Sequence, residues 1–185
     1  RLYRRFLRER SGKVPVPFHI NIGSNRGDSS ALIRPAVAAI ASRWPKAAMD
    51  VSKPFISPPW GYDSDNMFIN VAVALTVDDT AAPLTVLAEL QAIERSISHT
   101  PHRNSDGSYR DRELDIDIIA ADQLVTESPE LILPHPRMHL RPFVLVPLSE
   151  LAPQWRHPLL GLTAAEMIST YLSDRIQAQP DKASE

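Results

Sequence analysis

Two aspartates stand two residues apart inside an apolar run, in the segment RDRELDIDII. Residues i and i+2 of a strand point to the same face, so Asp115 and Asp117 should stand side by side while the neighbouring Leu and Ile residues enter a core. Adjacent carboxylates repel each other, and the pKa of at least one rises unless a cation lies nearby. Mg²⁺ is commonly held by such carboxylates together with phosphate oxygens. The pattern predicts either a magnesium site or, because D-x-D is common, a solvated strand face.

Arginines surround this acidic pair in the sequence. Arg110 and Arg112 precede it, and Arg137 and Arg141 follow in the next predicted loop. Guanidinium groups close to paired carboxylates suit a site for a metal-bound polyphosphate. The alternative is a set of surface ion pairs, each of which contributes little to stability.

A second group of candidate residues lies in SPPWGYDSDNMFIN. Phe68 and Asn70 share one face of a predicted strand, so an aromatic ring and an amide could together bind a flat heterocycle. A core Phe and a turn Asn are the alternative. Trp60, between prolines and a glycine, could be part of a lid or an anchoring hydrophobic residue.

Two further pairs follow helical spacing. Gln91 and Glu94 are three apart on a predicted helix and should share a face, either for binding or for plain solvation. His135 and His139 are four apart, but the prolines around them disfavour a regular helix, so we predict no zinc site.

The elements that must position these residues follow from periodicity and turn residues. We predict strands at about 16–22, in MDVSKPFIS with a break at Pro54, in MFINVAVALTV and in ELDIDIIAA, with QLVT beyond a turn at Asp122. Helices are predicted from Asp28 or Ser29 to Trp44, from Pro83 to Ile97 with Leu84, Leu87, Leu90 and Ile93 facing the core, and near 143–151 and 163–173. This βαββαβ order with C-terminal helices favours an α+β fold with a mainly antiparallel sheet.

Composition limits the class of protein. The 185 residues fit one domain, with a basic extension predicted at 1–15, a single domain at 16–175 and a polar tail at 176–185. The net charge of −2 gives no global basic excess for binding nucleic acid or an anionic membrane surface. The absence of cysteine excludes disulfides and suits a cytoplasmic protein. The Arg-rich start could be a targeting helix or a surface extension.

Taken in chain order, several motifs resemble one family. INIGSN, SPPWG, FINVAVAL, LQAIE, RELDIDII, LPHPRM and RPFVLVPLSELAP, within about residues 18–170, resemble 6-hydroxymethyl-7,8-dihydropterin pyrophosphokinase of folate biosynthesis. The resemblance implies a ferredoxin-like α+β fold and Mg²⁺-dependent transfer of pyrophosphate from ATP to the pterin hydroxymethyl group, leaving AMP. It also implies a monomeric cytoplasmic enzyme whose partners are these small molecules, without nucleic acid or membrane.

The resemblance also implies roles for individual residues. Asp115 and Asp117 would hold two Mg²⁺ ions and, with Arg112, form the catalytic group. Pterin-binding positions would be Gly23, Ser57, Pro58, Trp60, Phe68, Asn70 and Phe143. Nucleotide-binding positions would be Gln91, Glu94, Arg112, Ile118, His135 and Arg141.

The chain departs from the family pattern in its phosphate-binding segments. Ser98, His99 and Pro101 stand where the family usually carries a Gly–Arg pair and a further arginine, and Glu130 and Ile132 replace an Arg and a Thr. These changes motivate an alternative, a divergent paralogue that binds a pterin-like heterocycle without efficient transfer. A third hypothesis, an RNA-binding ferredoxin-like module, is disfavoured by the net charge and by the absence of an aromatic RNP-type pattern.

Overall fold

The computed structural model describes residues 15–25, 29–58, 67–78, 82–98 and 113–177. Within these ranges the elements are β1 (Val16–Ser24), α1 (Ser29–Arg43), β2 (Ala48–Val51), β3 (Phe55–Ser57), β4 (Phe68–Val77), α2 (Pro83–Ile97), β5 (Asp115–Ala121), β6 (Thr126–Glu127), β7 (Ile132–Leu133), a 3₁₀ turn (Met138–Leu140), α3 (Pro142–Leu151) and α4 (Ala164–Gln177). The predicted extension and tail fall almost wholly outside these ranges, and the predicted domain bounds stay predictions.

The main sheet has the strand order β2-β4-β1-β5, and β3 pairs with the start of β4. Each of these pairings is antiparallel. With α1 and α2 as the two crossovers, this confirms the predicted ferredoxin-like βαββαβ arrangement.

The second predicted strand is divided into β2 and β3 close to Pro54, as the sequence indicates. Ser52 lies at the break, where its N–H donates to Ala72 O at 3.0 Å. Ala72 N–H in turn donates to Ser52 Oγ at 2.9 Å, so a side chain replaces a missing ladder bond. A proline is tolerated here because the strand lies at the sheet edge.

Helices α1 and α2 cover one face of the sheet and enclose the main core. Its fully buried large side chains include Phe18, Ile20, Ile22, Ile40, Leu75, Leu90 and Leu114. The prediction for Leu84 is wrong, because this side chain is 48% exposed. The buried stripe of α2 follows Val86, Leu90 and Glu94, and Leu84 lies roughly 120° around the helix from Leu90 at 3.6 residues per turn.

Helices α3 and α4 lie on the opposite face and cover only part of it. Their smaller apolar cluster consists of Ile119, Met138, Val144, Leu145, Leu148, Ala164 and Met167. Ile119 belongs to this cluster because of a β-bulge: Ile20 pairs with Ile118 but His19 pairs with Ala120, which leaves one extra residue in β5. The rest of this face carries the polar residues described below.

Helix α4 begins at a capping box that also fixes the preceding turn. Glu166 Oε2 accepts the Thr163 N–H at 2.7 Å, and Thr163 Oγ1 accepts the Glu166 N–H at 3.2 Å. Among the helices the structure describes, none combines the length and apolar character that a membrane span requires.

Candidate active site

The acidic pair occupies the face that strand alternation predicts. Asp115 and Asp117 are half-buried on the side of β5 away from α1 and α2. The alternating Leu114, Ile116 and Ile118 are buried in the main core. The expected division of this strand into a carboxylate face and a core face is therefore confirmed.

Cross-strand pairing aligns the acidic pair with two polar positions of β1. Asp115 lies opposite Gly23 and Asp117 lies opposite Asn21. Directly opposed residues of an antiparallel pair share a face, with Cβ atoms roughly 5 Å apart. The two β1 residues that stand directly opposite the acidic pair therefore carry no apolar side chain.

The two β1 residues opposite the acidic pair are themselves paired with residues of β4, one of which is Asn70. Gly23 pairs with Asn70, and Asn21 pairs with Ala72 on β4. On the far side of β4, Phe55 pairs with Asn70. The register thus places Asn70 on the same face as the two carboxylates, two strands away from Asp115.

Gly23 is required by the position of the Asn70 amide. A Cβ atom at Gly23 would lie 2.6 Å from Asn70 Oδ1, closer than real Cβ contacts allow. Asn70 is only 2% exposed, so its amide has little room to move. The absence of a side chain at Gly23 lets this amide lie over β1.

Several hydrogen-bonding atoms in this region are buried without a partner among the described residues. They are Asn70 Nδ2, Asn21 Oδ1 and Ser57 Oγ. Buried polar groups in folded proteins are nearly always paired, and exceptions call for an explanation such as a ligand. These atoms therefore mark the polar half of the face as a binding surface.

Ser57, Pro58 and Phe68 lie beside this surface. Ser57 and Phe68 face each other across the β3–β4 pair, and both are half-buried. Pro58 directly follows β3 and is exposed. Trp60, which the resemblance implies to be a pterin contact, lies outside the described residues.

Glu94 reaches the acidic strand from the helix side. It is 7% exposed, and its Oε2 accepts the N–H of Ile116 at 2.8 Å. Since Ile116 stands between the two aspartates, this bond holds the backbone that carries them. Gln91 is exposed while Glu94 is buried, so the two residues that helical spacing predicts to share a face lie in different environments.

His135 and Arg141 form the other side of the acidic strand. The His135 N–H donates to Ile119 O at 2.8 Å, which fixes the loop to β5. Burial, then the Arg141 and Arg137 cations, lower the pKa of His135 to about 4, and Asp115 opposes that shift. The imidazole is therefore neutral near pH 7.

Two N–H donors approach the neutral ring of His135. Arg137 N lies 3.2 Å from Nδ1, and Arg141 Nη1 lies 3.3 Å from Nε2. A neutral imidazole accepts at only one nitrogen, so each tautomer makes one of these two hydrogen bonds. The Arg141 guanidinium beside the ring suits an anionic ligand such as a phosphate oxygen. The Arg141 guanidinium carbon also lies 5.7 Å from the centre of the half-buried Phe143 ring.

Ile118 can contribute to binding only through its main chain. Its side chain is buried in the main core. The Ile116 N–H points away from β1 towards Glu94, and main-chain groups alternate in direction along a strand. The main-chain groups of Ile118 therefore also point to the outer edge of β5.

The remaining predicted residues are not brought into the site by the described structure. Arg112, His99 and Pro101 lie outside the described residues. Glu130 and Ile132 are exposed beside the short β6–β7 hairpin. Ser98 ends α2, where its N–H donates to Glu94 O at 2.8 Å.

The donor set fits Mg²⁺ bound together with a phosphate ligand. Among the described residues, no group of three or more His, Cys, Asp or Glu side chains could hold a metal ion. Mg²⁺ is typically bound by one or two carboxylates and completes its octahedron with water and phosphate oxygens. Asp115 and Asp117 suit that mode of binding better than a metal cage built by protein alone.

Motif reasoning did not single out Asn21, which the strand register brings onto the same face as Asn70 and the acidic pair. Its signal was present, because a polar Asn stands two residues before Gly23 in a strand of branched residues. The face it occupies becomes meaningful only with the pairing to Asp117.

A family comparison agrees with this geometry. The profile described as 7,8-dihydro-6-hydroxymethylpterin-pyrophosphokinase (HPPK) matches residues 19–153. The chain belongs to this family. Its members are ATP-dependent diphosphotransferases of folate biosynthesis, which confirms the enzyme class that the motifs predict.

Bacterial relatives match most of this chain. It is 39% identical over 141 residues to 2-amino-4-hydroxy-6-hydroxymethyldihydropteridine pyrophosphokinase of Porphyromonas gingivalis, which is 76% of this chain and 92% of the relative. The protein of the same name from Bacillus subtilis is 33% identical over 136 residues, 74% of this chain and 78% of the relative.

Solved structures support the fold. An HPPK-DHPS in complex with substrates superposes with a TM-score of 0.65 at 10% identity, over 89% of this chain and 44% of that one. A Plasmodium falciparum HPPK-DHPS triple mutant gives 0.65 at 14% identity, over 92% and 46%. The chain thus spans less than half of these longer proteins, and the likeness concerns the HPPK fold alone.

Proposed function

We propose that the chain catalyses Mg²⁺-dependent transfer of the pyrophosphoryl group of ATP to 6-hydroxymethyl-7,8-dihydropterin. The pterin hydroxymethyl oxygen attacks the β-phosphorus and loses its proton, and the bond from that phosphorus to the α,β-bridging oxygen breaks. The products are AMP and the pterin diphosphate. One observation carries the proposal: the strand register sets the Asn70 amide and the Asp115–Asp117 pair on one face, as a two-substrate transfer requires.

The pterin would lie on the β3–β4 side of this face. The buried Nδ2 of Asn70 and Oγ of Ser57 supply unpaired polar groups for its ring edge. Phe68 and Phe143 are half-buried rings suited to stacking on a flat heterocycle. Gly23 allows close approach, and the main chain around Pro58, with Trp60, would complete the pocket.

The nucleotide would lie along the outer side of β5. His135 is neutral near pH 7, and Arg141 supplies positive charge beside it. The main-chain N–H and C=O of Ile118 can form hydrogen bonds with the nucleotide base. Gln91 offers an exposed side-chain amide. Arg112 would approach the phosphates from the loop before β5.

Asp115 and Asp117 would hold two Mg²⁺ ions. These ions, when bound, neutralise phosphate charge and orient the reacting phosphorus. The carboxylates fix the ions relative to the pterin, and Glu94 fixes the carboxylates through the Ile116 N–H. Mutual repulsion of the two carboxylates is relieved by the cations they bind.

The proposal also includes a monomeric cytoplasmic enzyme that has small-molecule partners and binds no nucleic acid. The chain's lack of cysteine and its net charge of −2 support this part. Sedimentation at working concentrations would test the monomer, and a gel shift with single-stranded RNA would test the absence of nucleic-acid binding.

The deciding experiment measures AMP from ATP by chromatography, with and without the pterin and across a series of Mg²⁺ concentrations. We expect AMP only when both are present. A purified, folded protein that makes no AMP at any Mg²⁺ concentration would contradict the proposal. Tight pterin binding in calorimetry without AMP formation would instead favour the divergent paralogue that the changed segments around Ser98 and Glu130 motivate.

A further inference from the structure

We infer that Asn21 is a second specificity-determining residue for the pterin, which acts as a pair with Asn70. The inference rests on the proposed function and deepens it. None of the motifs that indicate the family's site residues assigns a role to this position.

The pair is defined by one buried hydrogen bond. Asn21 Nδ2 donates to Asn70 Oδ1 at 3.1 Å. The two side chains are 7% and 2% exposed, so both amides are held in place by their surroundings. Asn21 therefore fixes the orientation in which Asn70 faces a ligand.

Within the part of the chain that the structure describes, the same bond leaves two buried atoms without partners. They are Asn21 Oδ1, an acceptor, and Asn70 Nδ2, a donor. A pair of amides that served only to stabilise the core would satisfy these atoms within the protein. Two unpaired atoms of opposite kind, side by side, indicate a ligand edge that offers both a donor and an acceptor.

This conclusion does not depend on how the amide oxygen and nitrogen atoms are assigned. If both amides turned by 180°, Asn70 would donate to Asn21 and the bond would remain. The pair would still present one donor and one acceptor, with the roles exchanged. A pterin edge carries N–H donors at N3 and the 2-amino group and an acceptor at O4, which matches such a pair.

The position of Asn21 links the two halves of the site. It lies opposite Asp117 on one side and opposite Ala72 on the other. The small Ala72 lies opposite Asn21 and the bare Gly23 lies opposite Asn70, so the β1–β4 pairing sets no bulky side chain against either amide. Asn21 thus stands between the amide that reads the pterin and a carboxylate proposed to hold Mg²⁺.

The test is the pterin affinity of Asn21→Leu and Asn21→Ala. Calorimetry would use an ATP analogue with a methylene bridge between the α- and β-phosphorus, so that no transfer occurs. We expect the pterin dissociation constant to rise about 10- to 100-fold, and that of the Mg²⁺-bound analogue alone to change less than twofold. Asn21→Leu keeps roughly the shape of the side chain, which protects the test if the smaller variant folds poorly.

A cycle with Asn70→Ala tests whether the two amides act as a pair. The fold increase in the pterin dissociation constant of the double variant should be much smaller than the product of the fold increases of the two single variants. His19→Gln is the matched control, because His19 is also buried and lies on the same face of β1 but contacts Trp155. It should leave pterin affinity within twofold.

The outcomes separate this inference from the proposed function. A wild-type protein that binds the pterin, with Asn21 variants that bind it equally well, would overturn the role of Asn21 and leave the proposed function standing. If the fold increase in the pterin dissociation constant of the double variant equals the product of the two single increases, the amides act independently. That result would overturn the pairing. A wild-type protein that binds no pterin would overturn the proposed function and this inference together.

Discussion

The two faces of one sheet serve different ends in this protein. On β1, the even-numbered residues from Phe18 to Ile22 are fully buried under α1 and α2. On the opposite face of the same strand, Asn21 and Gly23 border the proposed binding surface, while His19 packs against Trp155. A single run of backbone therefore supplies the core with one face and the proposed binding surface with part of the other. Substitutions on the core face should change stability, and those at the proposed binding surface should change binding and catalysis.

The largest effect should come from Asp117→Ala. Loss of a carboxylate that holds metal and phosphate should reduce kcat/KM by roughly 10³-fold or more, while the half-buried position keeps the thermal midpoint nearly unchanged. Steady-state kinetics and thermal melting measure the two quantities. The matched control is Ile116→Ala on the core face, which should cost about 2–5 kcal/mol of stability yet leave kcat of the folded fraction intact. Retained activity in Asp117→Ala would contradict the division between the faces.

Glu94 tests the hydrogen bond that joins α2 to the acidic strand. Glu94→Leu leaves the buried Ile116 N–H without its acceptor, so unfolding in urea should show a loss of about 2–3 kcal/mol, and kcat should fall with it. Glu94→Gln retains an acceptor oxygen and should lose clearly less of both. If the Leu variant were as stable as wild type, Glu94 would not hold the strand.

Gly23→Ala should lower both pterin affinity and stability, because the buried Asn70 amide has little room to move away from the new Cβ. The new Cβ would meet Asn70 Oδ1 at 2.6 Å and displace the amide, so pterin affinity should fall about tenfold, as measured by calorimetry. The matched control is Gly161→Ala, where φ is +69° and no atom lies within 4 Å of the added Cβ. That change should cost about 1 kcal/mol of backbone strain and leave pterin affinity unaltered. Equal effects of both changes on affinity would contradict the close-approach argument.

The sequence predicted the elements of this fold well because their periods are strong. Helix α2 begins at Pro83 and ends at Ile97 as expected, and the alternation in β5 placed Asp115 and Asp117 on one face. What it could not predict depends on contacts between distant segments. The bulge at Ile119 arises from pairing with β1, and alternation within β5 alone gives no sign of it.

The site divides in the same way. Local spacing predicts Asn70 and the acidic pair as candidate site residues, whereas Asn21 becomes a candidate only through the strand register. For Glu94, helical spacing predicts a shared face with Gln91 and the family resemblance implies a nucleotide contact. Neither shows that its carboxylate reaches the Ile116 N–H. Local patterns predict faces, and tertiary pairing decides which residues on those faces meet.

The smallest effect concerns the boundary of the binding surface. His19 shares the face of Asn21 but lies against Trp155, with ring centres 5.5 Å apart. Burial lowers the pKa of His19 to about 4, and Asp122 opposes that shift. His19 is therefore protonated near pH 6.5 in the unfolded chain but stays neutral down to about pH 4 in the folded chain. Stability from this group is complete above pH 7 and declines as the pH falls from 6.5 towards 4, by about 1 kcal/mol between pH 7.5 and 6.

The check is urea unfolding of wild type and His19→Gln at both pH values. The difference between the two proteins isolates His19, because the other histidines titrate equally in each. Between pH 7.5 and 6, the free energy of unfolding of His19→Gln should fall by about 1 kcal/mol less than that of wild type. The pterin affinity of the variant at pH 7.5 should equal that of wild type. An equal pH dependence would show that His19 is not held neutral by burial. A loss of pterin affinity would show that the binding surface extends beneath Trp155 rather than ending at Asn21.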